Sequence, residues 1–288
     1  VAVRKSTGER VVLKYEQKGS FKHQCRVMNG IKTSLDLHHP SIMRLYEAID
    51  AGDTIVLVQE YITGDDLFQY IVDHGPMPEP LARTIFHQIA STVLFLHERH
   101  IVHRDLKPEN VMVNDDGNIK LIDFGFSCDI SNGALHTSSC GSPNYAAPEI
   151  VSGKPYRGPE IDTWSLGAVL YAMLCARMTF DGHVQDVLTN IKSGTYEKPT
   201  SLSPEAQNLI AAMLTVDPEQ RITLAQVMNH PFIRNDEAEG AGRPSDVDKP
   251  LPRLPDDDSN DGDISLTVPQ VVLGTSVRVE RTGSNAEY

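Results

Sequence analysis

The stretch His103-Arg104-Asp105-Leu106-Lys107-Pro108-Glu109-Asn110 constrains this chain more than any other. It sets a carboxylate, an ammonium and a carboxamide within six residues. Pro108 is expected to keep the segment out of a helix, so that all three groups face one cleft. Such a set suits the handling of phosphate. Thirteen residues past Asn110, Asp123-Phe124-Gly125 follows the apolar run Ile119 to Ile122. A carboxylate and an amide held in this way suit Mg²⁺, a hard cation that takes a few protein oxygens and shares the rest with substrate phosphates.

A chain of 288 residues is long enough for one large or two small domains with a substantial core. The formal charge of −13 argues against nucleic acid and anionic membrane as partners. No apolar run approaches the roughly 18 residues that a membrane span needs, and no signal peptide is evident. The expectation is a soluble, cytoplasmic protein, with the nucleus as a second possible compartment. Cys25, Cys128, Cys140 and Cys175 are widely spread without C-x-x-C spacing, so they are expected to be reduced thiols, mostly buried.

Along the chain, Val1-Ala2-Val3 and Val11-Val12-Leu13 flank Ser6-Thr7-Gly8-Glu9 and read as two strands, the second ending at Lys14. Phe21, Cys25, Met28, Ile31 and Leu35 recur at helical spacing. Ile42 to Ala48 and Ile55 to Val58 read as further strands, followed by a polar link at Gly64-Asp65-Asp66. Leu81, Ile85, Ile89, Val93 and Leu96 form a strong helical stripe just before the polar loop. His97, His100 and His103 are spaced by three, but no further ligands complete a zinc set, so they are read as ordinary histidines. Residues 125 to 147 are polar and rich in Ser, Thr, Asn and Gly, which suits a mobile segment. After it, Ile161 to Leu174 predicts a helix carrying the single tryptophan, Trp164, into the core. Asp162 is expected beneath the His103–Asn110 loop, accepting backbone N–H groups. Arg221 is expected to pair bidentately with Glu149. From about residue 235 the chain holds 12 acidic and 5 basic residues and is expected to be a disordered tail. Within it the apolar patch Val268 to Leu273 is a candidate docking segment.

The order H-R-D-L-x-x-x-N, then D-F-G, then Ala147-Pro148-Glu149 resembles a eukaryotic protein kinase from Val1 to about Arg234. Within that superfamily the run Ser139 to Glu149 is similar to the AMP-activated and sucrose-non-fermenting kinases, in the calcium/calmodulin-dependent kinase group. The resemblance implies an α+β, bilobal fold: a partial small lobe with an antiparallel sheet (1–61), a larger helical lobe (62–234) and the acidic tail (235–288). It also implies Mg-ATP as phosphoryl donor and protein Ser/Thr hydroxyls as acceptors. Carried over by position, Asp105 accepts the substrate proton, Lys107 neutralises the γ-phosphate, and Asn110 and Asp123 hold Mg²⁺. Lys14, at the end of Val11-Val12-Leu13-Lys14, holds the α- and β-phosphates, while Val12, Glu60, Ile62 and Met112 surround the adenine. Glu109 favours basic residues upstream of the phosphoacceptor, and Ser142 belongs to the substrate-binding segment. Ser138 aligns with an activating phosphosite, with Thr137 its neighbour, and Arg104 is the expected phosphate holder for an upstream activating kinase's product.

Two departures from the family pattern stand out. The glycine-rich phosphate loop would precede Val1, so the sequence is expected to be truncated there and to bind ATP weakly. The helix position that carries the lysine's glutamate partner is Gly30, and Asp36 lies on another helical face. The ion pair at Lys14 is therefore expected to be absent, and Gly30→Glu to raise activity. Two functions compete on these residues: a serine/threonine kinase, and a pseudokinase or scaffold that keeps the fold with little phosphotransfer. A small-molecule phosphotransferase is disfavoured by the peptide-docking segment at Ala147-Pro148-Glu149.

Overall fold

Alternating apolar residues build a sheet from the first sixty positions. The computed structural model describes residues 1–138 and 141–234 and the backbone of 277–278. Strands β1 (Ala2–Arg4), β2 (Arg10–Gln17), β3 (Leu45–Asp50) and β4 (Thr54–Glu60) pair antiparallel in the order β1-β2-β4-β3. Between β2 and β3 runs helix α1 (Phe21–Asp36), whose first turn is capped by the Ser20 side chain accepting from the His23 N–H at 3.3 Å. Ile31 of α1 packs with Leu45, Ile55 and Leu57 of the sheet, forming a small separate core. On the other sheet face, Ala2, Val11 and Val58 form a second small cluster.

Two expectations for this lobe need correction. Strand β2 does not end at Lys14; Tyr15, Glu16 and Gln17 continue the pairing opposite Val56, Ile55 and Thr54. The extension matters because side chains alternate along a strand, so Glu16 emerges on the same face as Lys14. The stripe Phe21, Cys25, Met28, Ile31 and Leu35 does form a helix, but it is not the buried face. Phe21 is 83 % exposed and Met28 55 %, and only Ile31 is buried. The inner line of α1 is instead Val27, Gly30, Ile31 and Ser34, where small or polar residues meet a cavity and another backbone.

A short link leads to β5 (Asp65–Asp66) and helix α2 (Leu67–His74), capped by the Asp66 carboxylate accepting from Gln69 N–H at 2.8 Å. Helix α3 (Glu79–Glu98) buries Ala82, Ile85, Phe86, Ile89, Ala90, Val93 and Leu96, which takes in Ile85, Ile89, Val93 and Leu96 of the expected stripe, while Leu81 is only partly buried. It backs strands β6 (Ile101–Val102), β7 (Val111–Val113), β8 (Ile119–Leu121) and β9 (Cys128–Asp129), with β5-β7-β8 and β6-β9 as two small sheets. Pro108 does not exclude helix; it opens a 3-10 turn, Pro108–Asn110, because a proline at the first position of a turn has no N–H to lose. Helices α4 (Pro148–Val151), α5 (Pro159–Cys175), α6 (Val184–Ser193), α7 (Pro204–Met213), α8 (Leu224–Met228) and α9 (Pro231–Arg234) complete the large lobe.

Helix α5 is buried on every side from Ile161 to Leu174, and Trp164 is stacked on Phe180 with centroids 5.8 Å apart. Gly167 lets α7 approach, since a Cβ there would lie 2.8 Å from the Cβ of Met213. The cysteines are less buried than expected: Cys25 is exposed, and Cys128 and Cys175 are partly exposed. Ser139, Cys140 and most of the tail, including Val268 to Leu273, lie outside the described residues. The exception is Val277–Arg278 (β10), which pairs antiparallel with β1, Val3 opposite Arg278, where a loose tail was expected.

Arg221 ties α4 to the rest of the large lobe. Its guanidinium makes paired contacts with Glu149, Nη1 to Oε1 at 2.8 Å and Nη2 to Oε2 at 3.0 Å. Its other N–H groups donate to the carbonyls of Thr215, Glu160 and Val216, so all five donors are used. Both side chains are nearly inaccessible. Removing the cation would leave a buried, unpaired carboxylate, a loss of about 3–5 kcal/mol. Urea unfolding is therefore expected to show Arg221→Ala destabilised by roughly that amount. Arg221→Lys should recover only part of it, because an ammonium cannot reproduce the fork.

Candidate active site

The polar loop is held from below by one carboxylate. Asp162, on the first turn of α5 and fully buried, accepts the backbone N–H groups of His103 and Arg104, each at 2.9 Å. It also pairs with His97 Nε2 at 2.9 Å. Burial by itself would raise the Asp162 carboxyl, but the hydrogen bond and charge of His97, with His103 and its N–H, outweigh it and leave the group below the ordinary carboxylate range. His103, also buried, is pushed down by desolvation against the opposing pull of Asp162, Asp105 and Asp123. Of the three spaced histidines, then, His97 serves Asp162 and His103 packs on Phe124, ring centroids 5.2 Å apart. Clamping the two N–H groups allows Arg104 to hold φ +66°, a left-handed conformation that non-glycine residues rarely adopt.

Above this clamp the side chains of Asp105, Lys107, Asn110 and Ser142 meet. Asp105 Oδ1 accepts from the Ser142 N–H at 2.9 Å and from its hydroxyl at 3.0 Å. The same hydroxyl accepts from Lys107 Nζ at 2.9 Å, and Lys107 lies 3.5 Å from Asp105 Oδ2. Asn110 Nδ2 donates to the Asp105 carbonyl at 2.7 Å and to Oδ2 at 3.2 Å. With its nitrogen so committed, Asn110 keeps its amide oxygen as an acceptor for a cation. Glu109 projects to solvent from the adjoining turn.

A cavity of about 220 Å³ opens between the sheet and this loop. Lys14, Asn110 and Asp123 line it together, with Leu57 and Gln59 on the sheet side. Asp123 sits at φ +60°, and its Oδ1 accepts from the Gly125 N–H at 3.0 Å. Val12, Glu60, Ile62 and Met112 are half-buried and do not line this cavity. Glu60 instead pairs with Lys120 at 2.7 Å. The Asp123 carboxylate, the Asn110 amide oxygen and the Lys14 ammonium fit a magnesium-bound polyphosphate; Glu16 and Arg26 also line the cavity.

Helix α1 is packed hard onto the Asp123–Ser127 segment. Asn29 Nδ2 donates to the Ser127 carbonyl at 2.6 Å, the Ser127 hydroxyl to Thr33 Oγ1 at 3.0 Å, and Arg26 lies over the Phe126 ring. Gly30 faces Gly125, and a Cβ on Gly30 would lie 3.2 Å from both its N and Cα. The expected absence of a partner for Lys14 is overturned: Glu16 Oε1 lies 2.9 Å from Lys14 Nζ. Sequence reasoning missed Glu16 because it stopped the strand at the lysine. The signal was the two-residue spacing, which puts both side chains on one sheet face.

Arg104 reaches the segment that carries the two candidate phosphosites. Its Nε donates to the Phe126 carbonyl at 2.6 Å and its Nη1 to the Tyr156 hydroxyl at 3.4 Å. Tyr156 in turn donates to the Ser138 carbonyl at 3.0 Å. Thr137 and Ser138 are exposed.

These contacts set two expectations. Asp162→Asn turns one of two acceptor oxygens into a donor facing a backbone N–H, removes the charge beside His97, and should cost about 3 kcal/mol in denaturant unfolding. Because the Asp162 carboxyl is lowered on folding, its contribution is present above the unfolded carboxyl value and fades as the folded group protonates at lower pH. Wild type and Asp162→Asn should therefore converge in stability in acid. Gly30→Glu, contrary to the sequence expectation, should lower nucleotide affinity, since its Cβ presses on backbone rather than on a yielding side chain; an equilibrium titration with ATP checks the direction.

Residues 1–233 match the protein kinase domain family. The chain is 44% identical over 239 residues to the SNF1-related protein kinase catalytic subunit alpha KIN12 of Arabidopsis thaliana, covering 82% of this chain and 48% of that protein. It is 44% identical over 234 residues to the carbon catabolite-derepressing protein kinase of Candida tropicalis, covering 80% of this chain and 38% of the relative. The serine/threonine protein kinase OSK3 of Oryza sativa subsp. japonica is 43% identical over 238 residues, covering 81% of this chain and 47% of its own length. The chain thus spans less than half the length of these curated relatives. With a match over most of its length, and with the loop, the Asp123-Phe124-Gly125 turn and the Glu149–Arg221 pair in one large lobe, the chain belongs to the protein kinase family.

Proposed function

We propose that this chain is a serine/threonine protein kinase that transfers the γ-phosphoryl group of ATP to a protein hydroxyl. The observation that carries the reading is the convergence of Asp105, Lys107, Asn110 and Ser142 beside a cavity shared by Lys14 and Asp123. Asp105 is placed to orient and accept the proton of an attacking hydroxyl. Lys107 offsets charge that develops on the transferred group, and the Ser142 hydroxyl holds acid and base in one geometry. Asn110 and Asp123 would hold Mg²⁺, which when bound supplies neutralisation of the phosphate charge. Lys14 would bind the α- and β-phosphates. The likeness to a serine/threonine protein kinase of Oryza sativa supports this substrate class.

Three finer proposals accompany it. Glu109, exposed beside the loop, favours substrates with a basic residue upstream of the acceptor. Phosphorylation of Ser138 or Thr137 by an upstream kinase would bring a phosphate near Arg104, which already contacts the segment through Tyr156. The chain works in the cytoplasm, with the nucleus as a second compartment. The alternative, a pseudokinase or scaffold, draws support from Gly30, where the family carries a glutamate.

The test is phosphate transfer from Mg-ATP to a basic serine peptide by the full chain. Asp105→Asn is expected to lose activity by a factor of about 10² or more, as for loss of a positioned acid–base group. Equal background incorporation by wild type and Asp105→Asn would sink the kinase reading and leave the scaffold. Ser142→Ala should lower kcat about tenfold with little change in the KM for ATP, while Ser142→Thr stays near wild type. Glu109→Gln should flatten the preference for basic over neutral peptides.

A further inference from the structure

We propose that Glu16 is the positioning residue for Lys14, supplying from strand β2 the carboxylate that helix α1 lacks at Gly30. This rests on the kinase reading above but names a residue that reading does not use.

Glu16 and Lys14 are two residues apart on an extended strand, so both side chains leave the same face, the one turned towards α1. Their neighbours on that face, Ile55 and Leu57 opposite them on β4, are apolar and buried. An ammonium and a carboxylate placed there compensate one another, and the structure sets them 2.9 Å apart. Glu16 is 19 % exposed against 46 % for Lys14, so the carboxylate is the anchored partner and the ammonium remains open to the cavity. Both residues line that cavity with Asn110 and Asp123.

The second oxygen of Glu16 faces helix α1. Oε2 lies 3.8 Å from His23 Nε2 in the first helical turn. The carboxylate has thus moved from the helix to the strand, with His23 near it at the helical end but beyond hydrogen-bond distance. Gly30 explains the move. A Cβ there would lie 3.2 Å from the Gly125 backbone, so the helix meets the Asp123–Gly125 turn by direct backbone approach, and a glutamate at this position would have to push that backbone aside. Just beyond the turn, Asn29 and Thr33 bond Ser127 and Arg26 lies over the Phe126 ring.

A double-mutant cycle on the full chain tests the inference, with Mg-ATP binding measured by calorimetry up to millimolar nucleotide and peptide phosphorylation measured alongside. Glu16→Gln keeps the shape and removes the charge. It is expected to weaken Mg-ATP binding about tenfold, as is Lys14→Met, and the double variant should bind no more weakly than Lys14→Met alone. Glu16→Asp should recover part of the loss. Unfolding midpoints near wild type for Glu16→Gln would show that a folding defect is not the cause. Three results would overturn the proposal: unchanged binding in Glu16→Gln, tighter binding, which would mean that Glu16 withholds Lys14 from nucleotide, or losses that simply add. The kinase reading fails separately, by equal turnover of wild type and Asp105→Asn.

Discussion

Everything in the site depends on a buried carboxylate that never enters it. Asp162 fixes two consecutive backbone N–H groups of the loop, and His97 balances its charge. An exposed loop with this sequence would sample many conformations, and ordering each residue costs about 1–2 kcal/mol of backbone entropy. The clamp supplies part of that cost in advance, from inside the large lobe. It also fixes the left-handed turn at Arg104, which directs Asp105 one way and the Arg104 guanidinium another. Asp105 and the Arg104 contacts with Phe126 and Tyr156 thereby depend on one support.

The small lobe meets this rigid base at close range, by backbone approach and polar side-chain bonds together. Gly30 lies on Gly125, and Asn29 and Thr33 bond Ser127. Contact at this range transmits small displacements, because close-packed groups have no slack to absorb them. A shift of α1 would therefore be felt at Asp123, two residues from Gly125. Lys14 is positioned independently of the helix backbone, through Glu16 on its own strand. Lys14 thus takes its carboxylate from its own strand, where a helix glutamate would have joined it to α1 directly.

Much of the large lobe was legible because its chemistry is local in sequence. Asp105, Lys107 and Asn110 fall within six residues, and their convergence needs only one turn. The stripe of α3 was also readable, since long periodic helices leave strong patterns, whereas Glu149 and Arg221, 72 residues apart, were matched only by the fit of a guanidinium fork to a carboxylate. The small lobe was less legible for physical reasons. Amphipathic spacing identified α1 but not its inward face, because Gly30 and Ser34 face inward while Phe21 and Met28 face water. Glu16 was overlooked because the strand was ended too soon. Pro108 carries no veto over helix at this position, because a proline starts a 3-10 turn without loss.

The central claim is that Lys14, Asn110 and Asp123 form one site for a magnesium-bound nucleotide across the two lobes. Calorimetric titration of the full chain with ATP, with and without Mg²⁺, in wild type and Asp123→Asn, tests it most directly. The account predicts binding that strengthens with Mg²⁺ in wild type and loses that dependence in Asp123→Asn, with both proteins equally folded. Nucleotide binding of equal strength with and without Mg²⁺ in wild type would contradict it.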